Sequence, residues 1–449
     1  MARSPRMPLL LVLALALGVV ATAGSLAKSA NNPPLAGSLT SSNNAESTAL
    51  YCTGLSDATH HAAGHVTFLN TSNSSRSLNV QVISNTSVRA ATVIDLPPYG
   101  AHALQPQSMV TGSYFAVAAQ VNGGGVVAEV VANGGVTQTP CTSAGITDWY
   151  GAGFDTLVGS NATLSIYNPT ATPAVFNVSI YGPSGFSAPA PFQGMAVGAH
   201  TLLAVNLGGQ IVNTDNIGVH VKVLRGSINI VGAQTSGSAT SFNAGSEELS
   251  TTTWYPRVTT ASGASAEVRV FNTSSLPADV SASVALGAFK VTPQLVTVAP
   301  YSSGVVTITP NSAIPAAGYA TVELTSHTPI ASSLATGTPS NLAFSSPVVA
   351  SNEFLISDFS GKGFDAATLT NTSTKSMRVT FVVIGPHPQP MSAQLAGLST
   401  SNVLSLFSGL TSLGGHTVLI NSSRPTLVVT TTLRTRPAGL VVVDPLDRR

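Results

Sequence analysis

The stretch from His65 to Ile83, HVTFLNTSNSSRSLNVQVI, reads as two apolar-alternating strands around a polar turn. A close relative of it returns from Thr163 to Gly182 as TLSIYNPTATPAVFNVSIYG. With Asn70 as the anchor, counterparts stand at Asn168 in SIYNPTA, Asn272 in RVFNTSS and Asn371 in TLTNTST, spaced by 98, 104 and 99 residues. Recurrence at a fixed period is the mark of a repeated structural unit.

Three further landmarks keep station with the anchors. An aromatic precedes each one, at Tyr51, Trp149, Trp254 and Phe354. A turn follows each one, in PPYGAHAL at Tyr99, AVGAHTLL at Val197, APYSSGVV at Tyr301 and the weaker LSTSNVLS at Thr400. A final hairpin is expected in each copy, its return strand beginning near Val126, Ile228, Ile330 and Leu427. Alternation with period two runs through the copies, as in Leu78, Val80 and Val82, and Gly, Pro, Asn and Ser punctuate it. Capped helical patterns are almost absent after residue 48.

The expected fold is therefore all-β: four tandem immunoglobulin-like β-sandwich domains, at 48–145, 146–249, 250–349 and 350–443, with a tail at 444–449. Short junctions predict a semi-rigid rod. The anchor Asn is expected to end a strand and open a turn, its side chain bonding the backbone two residues on.

Arg3 and Arg6 precede an uncharged run from Met7 to Ala27 rich in Leu, Val and Ala, the pattern of a signal peptide. An uncleaved membrane anchor is the alternative for residues 1–27, since the run is just long enough to span a bilayer. Residues 28–47, KSANNPPLAGSLTSSNNAES, are too poor in apolar surface to fold and read as a disordered linker. The chain is expected outside the cytoplasm, secreted or anchored to the outer face of the membrane.

Of 449 residues, 18 are Lys or Arg and 17 are Asp or Glu, so nothing steers nucleic acid. Charged residues are 8% of the chain. Scarcity of Glu, Lys and Arg suits strands better than helices. The two cysteines, Cys52 and Cys141, are expected to form a disulfide in an oxidising compartment, closing the first unit.

The leader, the Cys pair bracketing the first copy, and units that open DWYGAGFDT or TTWYPRVTT and continue into YNP or FNTS resemble an uncharacterised family of secreted actinobacterial proteins built from tandem repeats. The resemblance implies location and architecture, and no chemistry.

Candidate chemistry is sparse. Asp57, His61 and His65 in GLSDATHHAAGH have the residue types of a metal site, against a plain loop reading. His102 and His200, both in GAH, read as one shared turn position. GKGFDA at 361–366 and WYGAGFD at 149–155 imitate a phosphate-binding loop but open no helix, so Asp155 and Asp365 read as turn residues. Trp149 and Trp254 are candidates for ligand stacking, against a packing role. Sequons including Asn70, Asn73, Asn85 and Asn421 would take glycans only in a eukaryotic secretory pathway. The expectation is a non-catalytic protein of the cell envelope with no cofactor and no metal, acting as a structural or protein-interaction scaffold. The alternative is a binder of carbohydrate or cell-wall glycan. Its partner is then an envelope protein or wall glycan, and it meets a membrane only through its N-terminal segment.

Overall fold

The computed structural model describes residues 46–447 outside 133–136, 237–238, 260–264, 287–288, 291–292, 310–313, 315–318, 339–340, 348–349, 352, 360–363, 385–389, 407–415, 436–438 and 444–445. The expectations for residues 1–27 and most of the linker lie outside the described residues. No described helix is long and apolar enough to cross a membrane.

The first unit sets the pattern. Its strands are β1 (Ser47–Ser56), β2 (Gly64–Asn70), β3 (Arg76–Ser84), β4 (Arg89–Leu96), β5 (Ala101–Leu104), β6 (Tyr114–Asn122), β7 (Val126–Ala132) and β8 (Thr137–Pro140). They form two antiparallel sheets, in the orders β1-β6-β3-β4 and β5-β2-β7-β8. Leu50, Leu78, Val80 and Val117 of one sheet close on Val66, Phe68, Ala128 and Val130 of the other to make a core. The same pair of sheets recurs in the next three copies, each with an apolar core of its own. In the third copy the sixth and seventh strands are one continuous strand, Tyr319–Thr338, that serves both sheets.

The opening stretch is two strands around a polar turn, as expected, and the turn is an arch: β2 and β3 lie in different sheets. One expectation is corrected: the expected final hairpin is a crossing, since β6 pairs with β1 and β3 while β7 pairs with β2 and β8. Local alternation shows which face of a strand is buried but carries no information about which partner lies beside it.

The anchor Asn holds that arch. The Asn70 amide donates to Ser74 O at 2.7 Å and, 27 residues on, to Pro97 O at 2.9 Å, while its carbonyl oxygen accepts from Ser72 N at 3.0 Å and Ser72 Oγ at 2.7 Å. Asn168, Asn272 and Asn371 repeat the same pattern onto Thr172 and Gly198, Leu276 and Ala299, and Lys375 and Ala396. All four are fully buried. Each one closes its own turn and ties it to the next turn of the unit.

That second turn has a shared conformation. Asn70, Asn168, Asn272 and Asn371 donate their backbone N–H groups to Gly100, Thr201, Ser302 and Ser399. The residue just before each acceptor, Tyr99, His200, Tyr301 and Leu398, has φ of 58°, 53°, 52° and 51°. The matched positions are thus these four, with His200 and Leu398 replacing Val197 and Thr400. His102 lies three residues past Tyr99 and pairs with Phe68, so it is not the counterpart of His200.

The rod expectation fails. The eighth strands, β8, Ala239–Asn243, Asn341–Ser345 and Gly439–Val443, neighbour one another in cyclic order, and the fourth returns to the first. Leu69 and Val127 of the first unit pack with Leu419 of the fourth. The four units therefore close into a ring. Closure covers the outer face of inner sheets as well as the core face, and all seven residues of β7 are buried. Few positions are left that need a charge to face water, consistent with the low charge content.

Candidate functional site

The residue before each anchor, Leu69, Tyr167, Phe271 or Thr370, points away from its own core and is buried against the preceding unit. The receiving position is set by register in three seams: Ala116 opposite Ile83, Gly218 opposite Tyr181 and Thr321 opposite Ala285, while Leu69 packs with Leu419 of the fourth unit. At two seams a large knob meets a small receiving residue. Tyr167 clusters with Ala116, whereas a Cβ at Gly218 would come within 2.2 Å of the Phe271 ring. Between the third and fourth units the match is polar, with Thr321 Oγ1 3.1 Å from Thr370 Oγ1 and 2.9 Å from Thr400 Oγ1. The aromatics of YNPT and FNTS signalled this: in a lone sandwich they would stand in water.

The seam between the second and third units is the richest in chemistry. Arg269 Nη1 donates to Asp155 Oδ1 at 2.7 Å and Gly153 O at 3.0 Å, with both side chains at most 7% exposed. Asp155 Oδ1 also accepts from Asn216 N at 2.9 Å, and Gln234 bonds the Asp155 backbone on both sides. Ser333 Oγ donates to Ala152 O at 2.7 Å. Gly153 has φ of +87°, and a Cβ there would meet Ser333 and Arg269. Asp155 is thus a cross-unit ion-pair partner, beyond the turn residue expected, and Arg269 is a residue sequence reading missed. Asp365 lies in the strand Phe364–Asn371.

Beside this network runs an aromatic strip. Tyr150 stacks on His220 with ring centres 4.4 Å apart and planes 9° from parallel, and His220 Nε2 lies 3.0 Å from Asp148 Oδ1. Burial pushes the His220 pKa down, partly offset by Asp148. Phe271 touches Tyr150 and Tyr181, Tyr181 touches Phe186, and Phe186 touches Tyr301. Burial, with smaller contributions from Asp148, Tyr181 and Glu248, pushes the Tyr150 phenol up to about 12.

The other candidates separate. Asp57 caps the short 3₁₀ turn Ala58–His60, accepting from Thr59 Oγ1 at 2.7 Å and lying 2.6 Å from His60 Nδ1. Burial raises the Asp57 pKa, but the hydrogen bonds from His60 and Thr59 outweigh it and hold the carboxyl below its ordinary value. His61 turns into the left-handed region at φ 67°, while His65 sits in β2, so Asp57 takes His60 as its partner. Among the described residues no group of three or more His, Cys, Asp or Glu is placed to hold a metal.

Trp149 is 1% exposed and its indole N–H donates to Ala244 O at 2.7 Å, so it offers no face to a ligand. Trp254 is half-buried and packs against the core of the fourth unit. The two are not equivalent. Tyr51, Tyr150, Trp254 and Leu355 pair with Ala118, His220, Glu323 and Leu419 at one register position, and Trp149 and Phe354 sit one residue earlier on the opposite face. A one-residue offset in a strand exchanges the seam face for the core face. Asn70 is buried, so its sequon is closed to modification.

Cys52 and Cys141 form a disulfide. Persistence of such a bond requires a non-reducing environment.

No curated protein matches the chain. A solved structure described as a tetra-tandem repeat in the extending region of a large adhesion protein is similar over 90% of this chain and 100% of its own, at 11% identity and a TM-score of 0.13. Residues 123–404, well over half of the chain, match a family described as a Family of unknown function (DUF5719), and the chain belongs to that family.

Proposed function

We propose that the protein is a non-catalytic, extracytoplasmic scaffold of the cell envelope that presents a fixed ring of immunoglobulin-like sandwiches to protein partners. Each unit has the size and two-sheet build of an immunoglobulin-like sandwich with an altered strand order. The first strand lies beside the sixth, and the seventh beside the second, where an immunoglobulin domain places its last and first strands. That exchange supports the assignment of four tandem modules while accounting for a crossing in place of the final hairpin.

One observation carries the reading: the polar groups at the anchors and along the seams are spent in building the frame. The four anchor Asn residues, Asp155 with Arg269, and the Thr321, Thr370 and Thr400 triangle all serve turns or seams. The disulfide supports a place outside the cytoplasm. The leader expected at residues 1–27 supports secretion or anchorage at the outer face of the membrane.

The test is chemical cross-linking of the full chain in intact cells, followed by identification of attached proteins, beside retention of purified protein on protein-free wall material. A reproducible protein partner supports the scaffold. Retention on bare wall material with no protein partner would displace it in favour of glycan binding.

A further inference from the structure

Large apolar side chains exposed singly on a surface need no special account. Phe186 and Tyr301 are different. They are 52% and 44% exposed, belong to consecutive units, and their rings lie 6.5 Å apart. They continue a buried interface: Phe186 is the cross-strand partner of Tyr181, whose ring meets Phe271 at 5.3 Å inside the seam.

The hydroxyls along this strip are also unspent. Tyr181 is only 6% exposed, yet its phenol oxygen, like those of Tyr150 and Tyr301, has no protein hydrogen bond among the described residues and is not sealed from solvent. A buried tyrosine ordinarily finds a partner for its hydroxyl. Ring contacts run from Tyr150 through Phe271 to Tyr181 and on through Phe186 to Tyr301, which places the three phenols along one strip. Carboxylates of Asp148 and Glu248 act on the Tyr150 end alone.

The geometry points to a docking strip for a neutral polysaccharide across the seam of the second and third units, with Phe186 and Tyr301 as stacking platforms and the Tyr181 hydroxyl as a hydrogen-bond partner. A pyranose has an apolar C–H face and a rim of hydroxyls, and this strip has exposed ring faces and unpaired phenol oxygens. Neither a ring face nor a phenol hydroxyl requires a charge of the ligand. The seam's own occupant, Phe271, already lies against two rings of the strip, Tyr150 and Tyr181, in tilted contacts. The inference goes beyond the scaffold reading, which needs no glycan. It also moves ligand stacking from Trp149 and Trp254, which are occupied in packing, to residues that are exposed.

The test is affinity electrophoresis of the full chain through gels containing hydroxyethylcellulose, α-mannan, galactan or β-1,3-glucan, with alginate and polymer-free gels as references. Retardation is expected in at least one neutral gel and not in alginate. Phe186→Ala and Tyr301→Ala should each weaken it about tenfold, the effect of losing about 1.4 kcal/mol of contact. Tyr181→Phe, which removes one oxygen and no ring, should weaken it about threefold with the unfolding midpoint unchanged. Val158→Ala, at an exposed apolar side chain elsewhere in the second unit, should change nothing. Absence of retardation in all four neutral gels overturns the inference, as does retardation that survives the Phe186→Ala and Tyr301→Ala double change. A photo-cross-linker at position 186 that captures a protein in place of glycan would also overturn it, while leaving the scaffold reading standing.

Discussion

Asn168 donates to three carbonyl oxygens and accepts from the N–H and hydroxyl of Thr170, all while buried. Replacing it with Ala strands those partners in a site closed to water, and each unsatisfied buried group costs roughly 1–3 kcal/mol. Asn168→Ala should therefore lower stability by about 3 kcal/mol or more, read from the denaturant midpoint of the second unit. An unchanged midpoint would show that the side chain is replaceable. Half of this role was legible: the Asx turn follows from an Asn between two alternating runs, but the bond to Gly198 joins residues 30 apart and has no local signal. Gly218 is the complementary case. Gly218→Ala should cost about 1–3 kcal/mol by driving a methyl into Phe271, and Phe271→Leu in the same chain should recover part of it. Recovery is measurable as a positive coupling in a double-mutant cycle.

At the scale of elements, the seam between the second and third units includes the buried Asp155–Arg269 ion pair. Arg269→Met leaves the Asp155 carboxylate buried with a reduced set of donors and should destabilise by about 3–5 kcal/mol, as breaking one half of a buried pair does. The paired change Arg269→Met with Asp155→Leu should cost less than the single one; an equal or greater cost would assign the loss to packing. The same seam carries a pH dependence. Burial depresses the His220 pKa below its ordinary value of 6.5, so the unfolded chain binds the proton more readily than the folded one. Stability then falls as pH drops below about 6.5 and levels off once the depressed folded value is passed. His220→Phe should flatten that acid limb in a midpoint-versus-pH series, and an unchanged limb would place the titration elsewhere. The sequence shows His220 alternating with Val219 and Val221, but its stacking on Tyr150 depends on two strands brought side by side.

For the whole molecule, ring closure separates two shapes by scattering. A compact body of about 400 residues has a radius of gyration near ~21 Å, and four units in a rod would give roughly double. A value near the compact one is expected for the chain from residue 46 on, and a rod-like value would dissolve the seam between the fourth and first units. The disulfide acts at the same scale. It closes a loop of 89 residues, and chain-entropy arguments give it about 4–5 kcal/mol, so Cys52→Ser with Cys141→Ser should lower the first unit's stability by an amount of that order. Sequence alone pointed to the pairing, because the chain has just two cysteines, and the structure confirms it.

What the sequence by itself determined is what local pattern encodes: an all-β chain, four copies with their anchor Asn residues, and a disulfide. Period-two alternation and turn residues act over a few neighbours, and recurrence at about one hundred residues makes them unmistakable. Only the tertiary structure decided which strand lies beside which, that the copies close into a ring, and that Tyr167 and Phe271 are seam knobs. It also decided that Trp149 and Trp254 have different fates, since one step of register along a strand changes the face presented. Those outcomes depend on surfaces meeting across hundreds of residues. The residues that meet there, Asp155 with Arg269 and Phe186 with Tyr301, are joined by no motif.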